Sequence, residues 1–206
     1  MARLKLTQEQ ITEFKQQLVS TATSLFVDTG YAGVTMRAIA KELGCSPMKA
    51  YRYFGDKDEI YAMVRTAAYQ SFAESQQIAY FSRDNTLERL VQLGLAYFHY
   101  ATENPDQYRL MFELSQPDPV DYPQLQEAEN ASMKPLHTSV AELISEGIFL
   151  DDPAAEIQTH VIWSAVHGVV SLNLAGKLSK RVDTAEVERA IMDILFSGLA
   201  ASSRTV

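Results

Sequence analysis

At 206 residues, with 47% hydrophobic and 21% charged side chains, the chain can build a substantial core and is too apolar for wholesale disorder. A single cysteine excludes an internal disulfide, and Met1-Ala2-Arg3-Leu4-Lys5 lacks the apolar run of a secretory signal. Every apolar stretch is interrupted short of the roughly 18–20 residues a bilayer demands, so a cytoplasmic protein with no membrane partner is expected.

The net charge of −8 is unevenly spread. Residues 1–60 hold 8 Lys+Arg against 7 Asp+Glu, which leaves 10 and 19 for residues 61–206. An acidic body repels a polyanion over about 8–10 Å and would turn the less acidic end toward it. Plain solubility explains the same distribution.

From the N-terminus, Ile11, Phe14, Leu18, Ala22, Leu25 and Phe26 recur at three- and four-residue steps, one face of a helix that Gly30 would stop. Later starts carry capping chemistry. Asp56 precedes Glu59, Asn85 precedes Glu88 and Asp183 precedes Glu186, while Ser46, Asn104 and Asp152 each precede a proline. These signals predict nine helices near 8–29, 36–43, 47–54, 57–81, 86–103, 105–115, 123–147, 153–178 and 184–202. A loop falls around Gln116 to Pro123, where three prolines exclude regular structure. The fold class is all-α.

Residues 35–54 carry the most chemistry. Two short helices meet at Gly44, where glycine adopts a left-handed turn cheaply. Ile39, Ala40 and Leu43 face the core from the first helix, Ala50 and Phe54 from the second, and Cys45 fills the corner. Ser46 caps the second helix and Pro47 starts it, so its N-terminus is presented abruptly, as in a helix-turn-helix entering the major groove. Lys49 and Lys57 are cations for phosphate, Tyr51 and Tyr53 offer hydroxyls, and Thr35 caps a helix whose backbone N–H groups point outward. Arg37 can grip guanine bidentately, and Arg52 is either a further contact or simply solvated. On pattern alone, an ordinary helical hairpin with surface tyrosines fits equally well.

Residues 11–61 resemble the N-terminal domain of the TetR family of regulators. The matching features are a long first helix, Gly30-Tyr31, Thr35 before Ile39-Ala40, Gly44 before Ser46, and the run Tyr51-Arg52-Tyr53-Phe54-Gly55-Asp56-Lys57-Asp58-Glu59-Ile60. The resemblance implies that Thr35, Ser46, Tyr51, Tyr53 and Lys57 hold phosphates, and that Arg37, Pro47, Met48 and Lys49 sit toward base edges. Cys45 stands where valine is common and Ala50 where a larger aliphatic is common; both remain small and apolar. Residues 1–56 would form the DNA-binding domain and residues 57–206 a domain for ligand binding and dimerisation.

From Val161 the helix of residues 153–178 is apolar nearly all round, with Ser164, Ala165, Gly168 and Ser171 interspersed, and the last helix adds a broad apolar face. Two buried faces follow, one toward the chain's own core. The other packs within the chain or against a second copy about a two-fold axis, through Val161, Ala165, Val169, Leu172, Ile191, Ile194, Leu195 and Gly198. Trp163-Ser164-Ala165-Val166-His167-Gly168 resembles a tryptophan-histidine-glycine signature of one group of TetR-type C-terminal domains.

Aromatics and methionines are dense over residues 57–147, where core packing and a ligand cavity are both open readings. The resemblance implies a mostly apolar cavity, with Tyr69, Tyr97, His137 and His167 as polar anchors and Met111, Phe112 and Trp163 as apolar walls. Glu156, His160 and His167 recur at helical spacing, but no cysteine or second acidic cluster completes a metal site; no cofactor is expected. The absence of a Gly-rich phosphate loop, a nucleophile motif and a metal quartet argues against an enzyme. The expected partners are a double-stranded operator of two half-sites, a second copy of the chain and a small apolar or amphipathic effector. The rival reading is a helical interaction module that binds no DNA.

Overall fold

A computed structural model describes residues 7–112 and 121–201. Nine helices lie among them: α1 (Gln8–Gly33), α2 (Met36–Glu42), α3 (Pro47–Tyr53), α4 (Lys57–Tyr80), α5 (Thr86–Glu103), α6 (Pro105–Phe112), α7 (Pro123–Ser145), α8 (Ala155–Leu174) and α9 (Thr184–Leu199). The all-α architecture is as the periodicity predicts. Most of the proline-rich segment expected to be a loop, and the last residues of the helices expected over 105–115 and 184–202, lie outside the described residues. No described helix is long and apolar enough to cross a membrane.

The helix ends show which local signals operate. Thr7 and Gln10 form a reciprocal capping box for α1, with the Thr7 amide donating to Gln10 Oε1 at 3.0 Å and the Gln10 amide to Thr7 Oγ1 at 3.2 Å. Glu59 and Glu88 each donate a backbone N–H to the carboxylate of Asp56 and the amide oxygen of Asn85. Asp183 instead receives Ala185 N–H, two residues on, at 3.0 Å. Gly30 has φ +69°, which interrupts the helical backbone as expected, although the helix resumes to Gly33.

Of the expected proline starts, Pro47 and Pro105 do open α3 and α6, whereas Pro153 does not open α8. The Asp152–Pro153 peptide is cis, and α8 begins after Ala154 with no side-chain cap. Asn104 closes α5, donating from its side-chain amide to Tyr100 O at 3.2 Å.

The described chain divides into two compact units, one of Met1–Tyr69 with Asp106–Glu129, the other of Gln70–Pro105 with Asn130–Val206. In the first, Phe14, Leu18, Ala22 and Phe26 line one face of α1 at four-residue steps. They pack with Ile39 and Ala40 of α2, Ala50 of α3, Phe54, the start of α4, and Leu110 of α6. Ala40 and Ala50 are fully buried, and small side chains there let short helices cross closely. Arg65, itself buried, bonds Glu129 at 2.9 Å within the same unit.

In the second unit Leu90 and Leu93 of α5, Val140 and Leu143 of α7, Phe149 in the turn after α7 and Ile162 of α8 form the core, with Leu195, Phe196 and Leu199 of α9 packed against it. An isolated antiparallel bridge between Phe149 and Ala200 ties the end of α9 to the turn after α7. Glu142 receives Arg89 Nη1 at 3.0 Å and the Tyr80 hydroxyl at 3.3 Å, and Thr86 donates to Glu146 at 2.7 Å. These bonds bracket the start of α5 with the end of α7.

Candidate functional site

In the first unit, α2 and α3 are joined by Leu43-Gly44-Cys45, with Gly44 at φ +65°. The Thr35 hydroxyl accepts Ala38 N–H at 3.1 Å and the Ser46 hydroxyl accepts Lys49 N–H at 3.3 Å. Both hydroxyls therefore cap helices, and both helix starts remain solvent-facing. Ala50 and Phe54 anchor α3 inward, so its register forces Met48 (81% exposed) and Tyr51 (51% exposed) outward. Arg37, Pro47 and Arg52 are also exposed.

The remaining candidates are more tightly held. Lys49 Nζ lies 4.0 Å from the centroid of Phe14, and Tyr53 packs on that ring at 5.2 Å. Lys57 Nζ donates to Tyr31 O at 2.9 Å and sits 3.9 Å from the Tyr31 ring centroid. The Tyr31 hydroxyl donates to Asp58 Oδ1. Burial, then that bond and the carboxylate's charge, raise the Tyr31 pKa far above its ordinary value. This Tyr31 cluster carries no separate sequence signal, because its partners are 26 and 27 residues away.

The expected ligand residues fall into three groups. Tyr69, Met111 and Phe112 lie together in the first unit, where the Tyr69 hydroxyl donates to Met111 O at 2.9 Å and Phe112 meets the Tyr69 ring edge-on at 6.0 Å. His137 lies in the second unit, in a cleft of about 600 Å³ with Asn130, Met133, Lys134, Glu156, Thr159 and His160.

Tyr97, Trp163 and His167 come together as a chain of hydrogen bonds in the second unit. Trp163 Nε1 donates to the Tyr97 oxygen at 3.2 Å, the Tyr97 hydroxyl pairs with His167 Nδ1 at 3.2 Å, and His167 Nε2 pairs with Ser171 Oγ at 3.1 Å. The Tyr97 and Ser171 hydroxyls can each donate or accept, so one ring nitrogen of the neutral imidazole donates and the other accepts along this chain. Burial lowers the His167 pKa, so the neutral ring is favoured.

Tyr97 and Trp163 also line a small, almost wholly apolar cavity of about 30 Å³, with Leu93, Leu136, Ile162 and Met192 among its walls. Met192 Cε lies only 2.3 Å from where a Cβ on Gly94 would stand, so this thioether occupies the space that glycine leaves. A glycine inside the 86–103 helix is the sequence signal for that close approach. The cavity's Gln76 is buried, and its Nε2 has no hydrogen-bond partner. Among the described residues, no group of three His, Cys, Asp or Glu is placed to hold a metal.

The residues expected at a subunit interface divide by exposure. Val161, Leu172, Ile194 and Gly198 are exposed, Ala165, Val169 and Ile191 are half-buried, and Leu195 packs into the chain's own core. Helices α8 and α9 pack on each other within the second unit.

Comparison with known proteins accords with this arrangement. The profile of the bacterial regulatory proteins, tetR family, matches residues 18–64, and that of the tetracyclin repressor-like C-terminal domain matches residues 90–195. The chain is similar to the HTH-type transcriptional regulator Mb1846 of Mycobacterium bovis, 21% identical over 195 residues that span 80% of this chain and 82% of that one. It is also similar to the HTH-type transcriptional activator FasR of Mycolicibacterium smegmatis, 29% identical over 133 residues, 65% of this chain and 59% of that one. In fold it is similar to a protein of unknown function from Rhodococcus sp. RHA1, with a TM-score of 0.78 at 23% identity over 91% of this chain and 95% of that one. With a family profile matched over half its length and a solvent-facing helix-turn-helix in the other matched segment, the chain belongs to the TetR family of DNA-binding transcriptional regulators.

Proposed function

We propose that this regulator is a repressor that binds a two-half-site operator as a homodimer and leaves it when a small apolar or amphipathic molecule enters the second unit. Residues 1–56 are the DNA-reading part and residues 57–206 the sensing and dimerising part. Arg37, Pro47, Met48 and Lys49 approach base edges, while Thr35, Ser46, Tyr51 and Tyr53 hold phosphates; Lys57, whose ammonium is engaged by Tyr31, stands outside this contact set. Two copies joined through Val161, Leu172 and Ile194 would present their α3 helices to successive major grooves, about 34–36 Å apart.

The observation that carries the reading is the register of α3. With Ala50 and Phe54 buried, the same helix turns Met48 and Tyr51 to solvent directly beside an N-terminus capped by Ser46. Such a helix is held from behind and chemically free in front. Release is carried by α4, which contributes residues to both units. A coupling worth roughly a 5–150-fold change in operator affinity is the usual scale for such linkage.

Selection of bound duplexes from a random pool by the full-length chain tests the DNA half of the proposal. A two-fold symmetric consensus is expected, with affinity that falls steeply as salt rises. Recovery of no consensus, or binding indifferent to salt, would leave an apolar docking module as the better description.

A further inference from the structure

Resting on the effector half of that reading, the geometry points to the effector's chemical class: an uncharged molecule with an apolar body and one hydrogen-bond acceptor, such as a ketone or ester, received by Gln76 and admitted by displacement of Met192.

The acceptor follows from what the cavity wall lacks. Gln76 is 4% exposed, and its amide nitrogen donates to nothing in the protein. A buried N–H left unmade is costly, and an acceptor brought into this cavity would satisfy it. The other polar groups at the wall are already engaged, because Trp163 donates to Tyr97 and Tyr97 pairs with His167. A lone water is poorly suited, since it needs two to four polar partners and the remaining walls are leucine, isoleucine, valine and methionine.

The absence of charge follows from the same list of walls. No Lys, Arg, Asp or Glu lines the cavity. The neighbouring His167 is held neutral by burial, so it supplies no counter-charge to a carboxylate. An anion entering here would lose its hydration with nothing to replace it.

Size assigns the role of Met192. About 30 Å³ has room for roughly a water or two, whereas ligand pockets run to about 300–1,000 Å³. Of the apolar walls, Met192 is the one with a long unbranched side chain, and it comes from α9 to lie against Gly94 of α5. Three rotatable bonds let it leave without moving backbone. A ligand that takes its place therefore loosens a contact between α5 and α9.

The test uses the full-length chain and 2-nonanone, nonanoate and nonylammonium as matched neutral, anionic and cationic probes. Trp163 is the chain's single tryptophan and lines the cavity, so its emission reports occupancy. The ketone is expected to bind at least about tenfold more tightly than either ion. Gln76→Leu should weaken ketone binding by about tenfold without lowering the melting temperature of the unliganded protein, because it deletes a buried amide nitrogen that donates to nothing. Met192→Ala should tighten ketone binding. Should Gln76→Leu fail to fold, Gln76→Met serves in its place, with a melting scan as the control.

Nonanoate binding as tightly as the ketone would overturn the proposal. So would ketone binding that ignores both Gln76 substitutions, or a Trp163 signal unmoved by any probe in the parent and in Met192→Ala alike. The readout needs no DNA. Gln76-dependent ketone binding that leaves operator affinity unchanged would therefore uphold the ligand class while refuting effector-driven release.

Discussion

Lys57 Nζ donates to the carbonyl oxygen of Tyr31 at 2.9 Å and lies 3.9 Å above the centre of its ring. The first residue of α4 is thereby pinned to the segment just beyond the Gly30 break in α1. An ammonium spent in this way has less to offer a phosphate. Lys57→Met is expected to cost about 1–2 kcal/mol of stability, read by urea unfolding. The dependence of DNA affinity on salt should stay as in the parent; a slope shallower by about one unit would show that Lys57 neutralises phosphate after all.

Arg37 and Tyr51, both exposed, are expected to differ in kind. Arg37→Ala should relax base preference at one position in each half-site, with a loss of about 1–3 kcal/mol on the preferred duplex. Tyr51→Phe should weaken binding to all duplexes by a similar factor, since a phosphate contact carries no base information. Binding profiles over single-base operator variants separate the two. A uniform loss for Arg37→Ala would place it on the backbone.

Gly30 has φ +69°, and a Cβ built there meets nothing within 4 Å. Gly30→Ala therefore strains the backbone without a clash. A destabilisation of about 1–3 kcal/mol follows from this positive-φ, extended backbone alone, which favours glycine. Thermal unfolding of the full chain reads it, and an unchanged midpoint would mean that the break in α1 re-forms as continuous helix.

Ile194 is 67% exposed on α9, beside Gly198, and Val161 and Leu172 are exposed on α8. Exposed branched aliphatics on two helices that already pack on each other suit a self-complementary interface. Ile194→Asp should shift the full-length protein from dimer to monomer by light scattering at micromolar concentration. DNA affinity should fall with it, because one α3 helix reaches only one half-site. A dimer that survives Ile194→Asp and Val161→Asp together would move the interface elsewhere.

Burial lowers the His167 pKa below its ordinary value of 6.5. The unfolded chain therefore takes up a proton that the native state refuses. The native advantage is present above about pH 6.5 and is lost as pH falls below it toward the native pKa. The melting temperature should drop between about pH 7 and pH 5. His167→Gln, which keeps polar atoms without titrating, should flatten part of that slope. An unaltered slope would assign the acid sensitivity to other groups.

Local chemistry made much of this protein legible. Thr35 and Ser46 form caps to N–H groups three residues away, so neither needs the rest of the chain to be in place. The four-residue repeat of Phe14, Leu18, Ala22 and Phe26 states its own buried face. Even so, Asp152–Pro153 misled, because α8 begins only after Ala154 and without a side-chain cap. Sequence alone likewise suggested one set of cavity residues. Tyr69, Met111 and Phe112 lie in a different unit from Tyr97, Trp163 and His167, a division that spacing along the chain does not encode.

By itself, then, the order of residues determined the helices, their caps and the outward face of α3, since these depend on interactions within one or two turns. Tertiary structure decided whether Lys57 meets Tyr31, whether Met192 fills the space beside Gly94, and whether Gln76 Nε2 finds an acceptor. The last three residues lie on α9, α5 and α4, and packing alone brings such distant segments to one wall. A side chain's spare hydrogen bond becomes visible only once every neighbour is known.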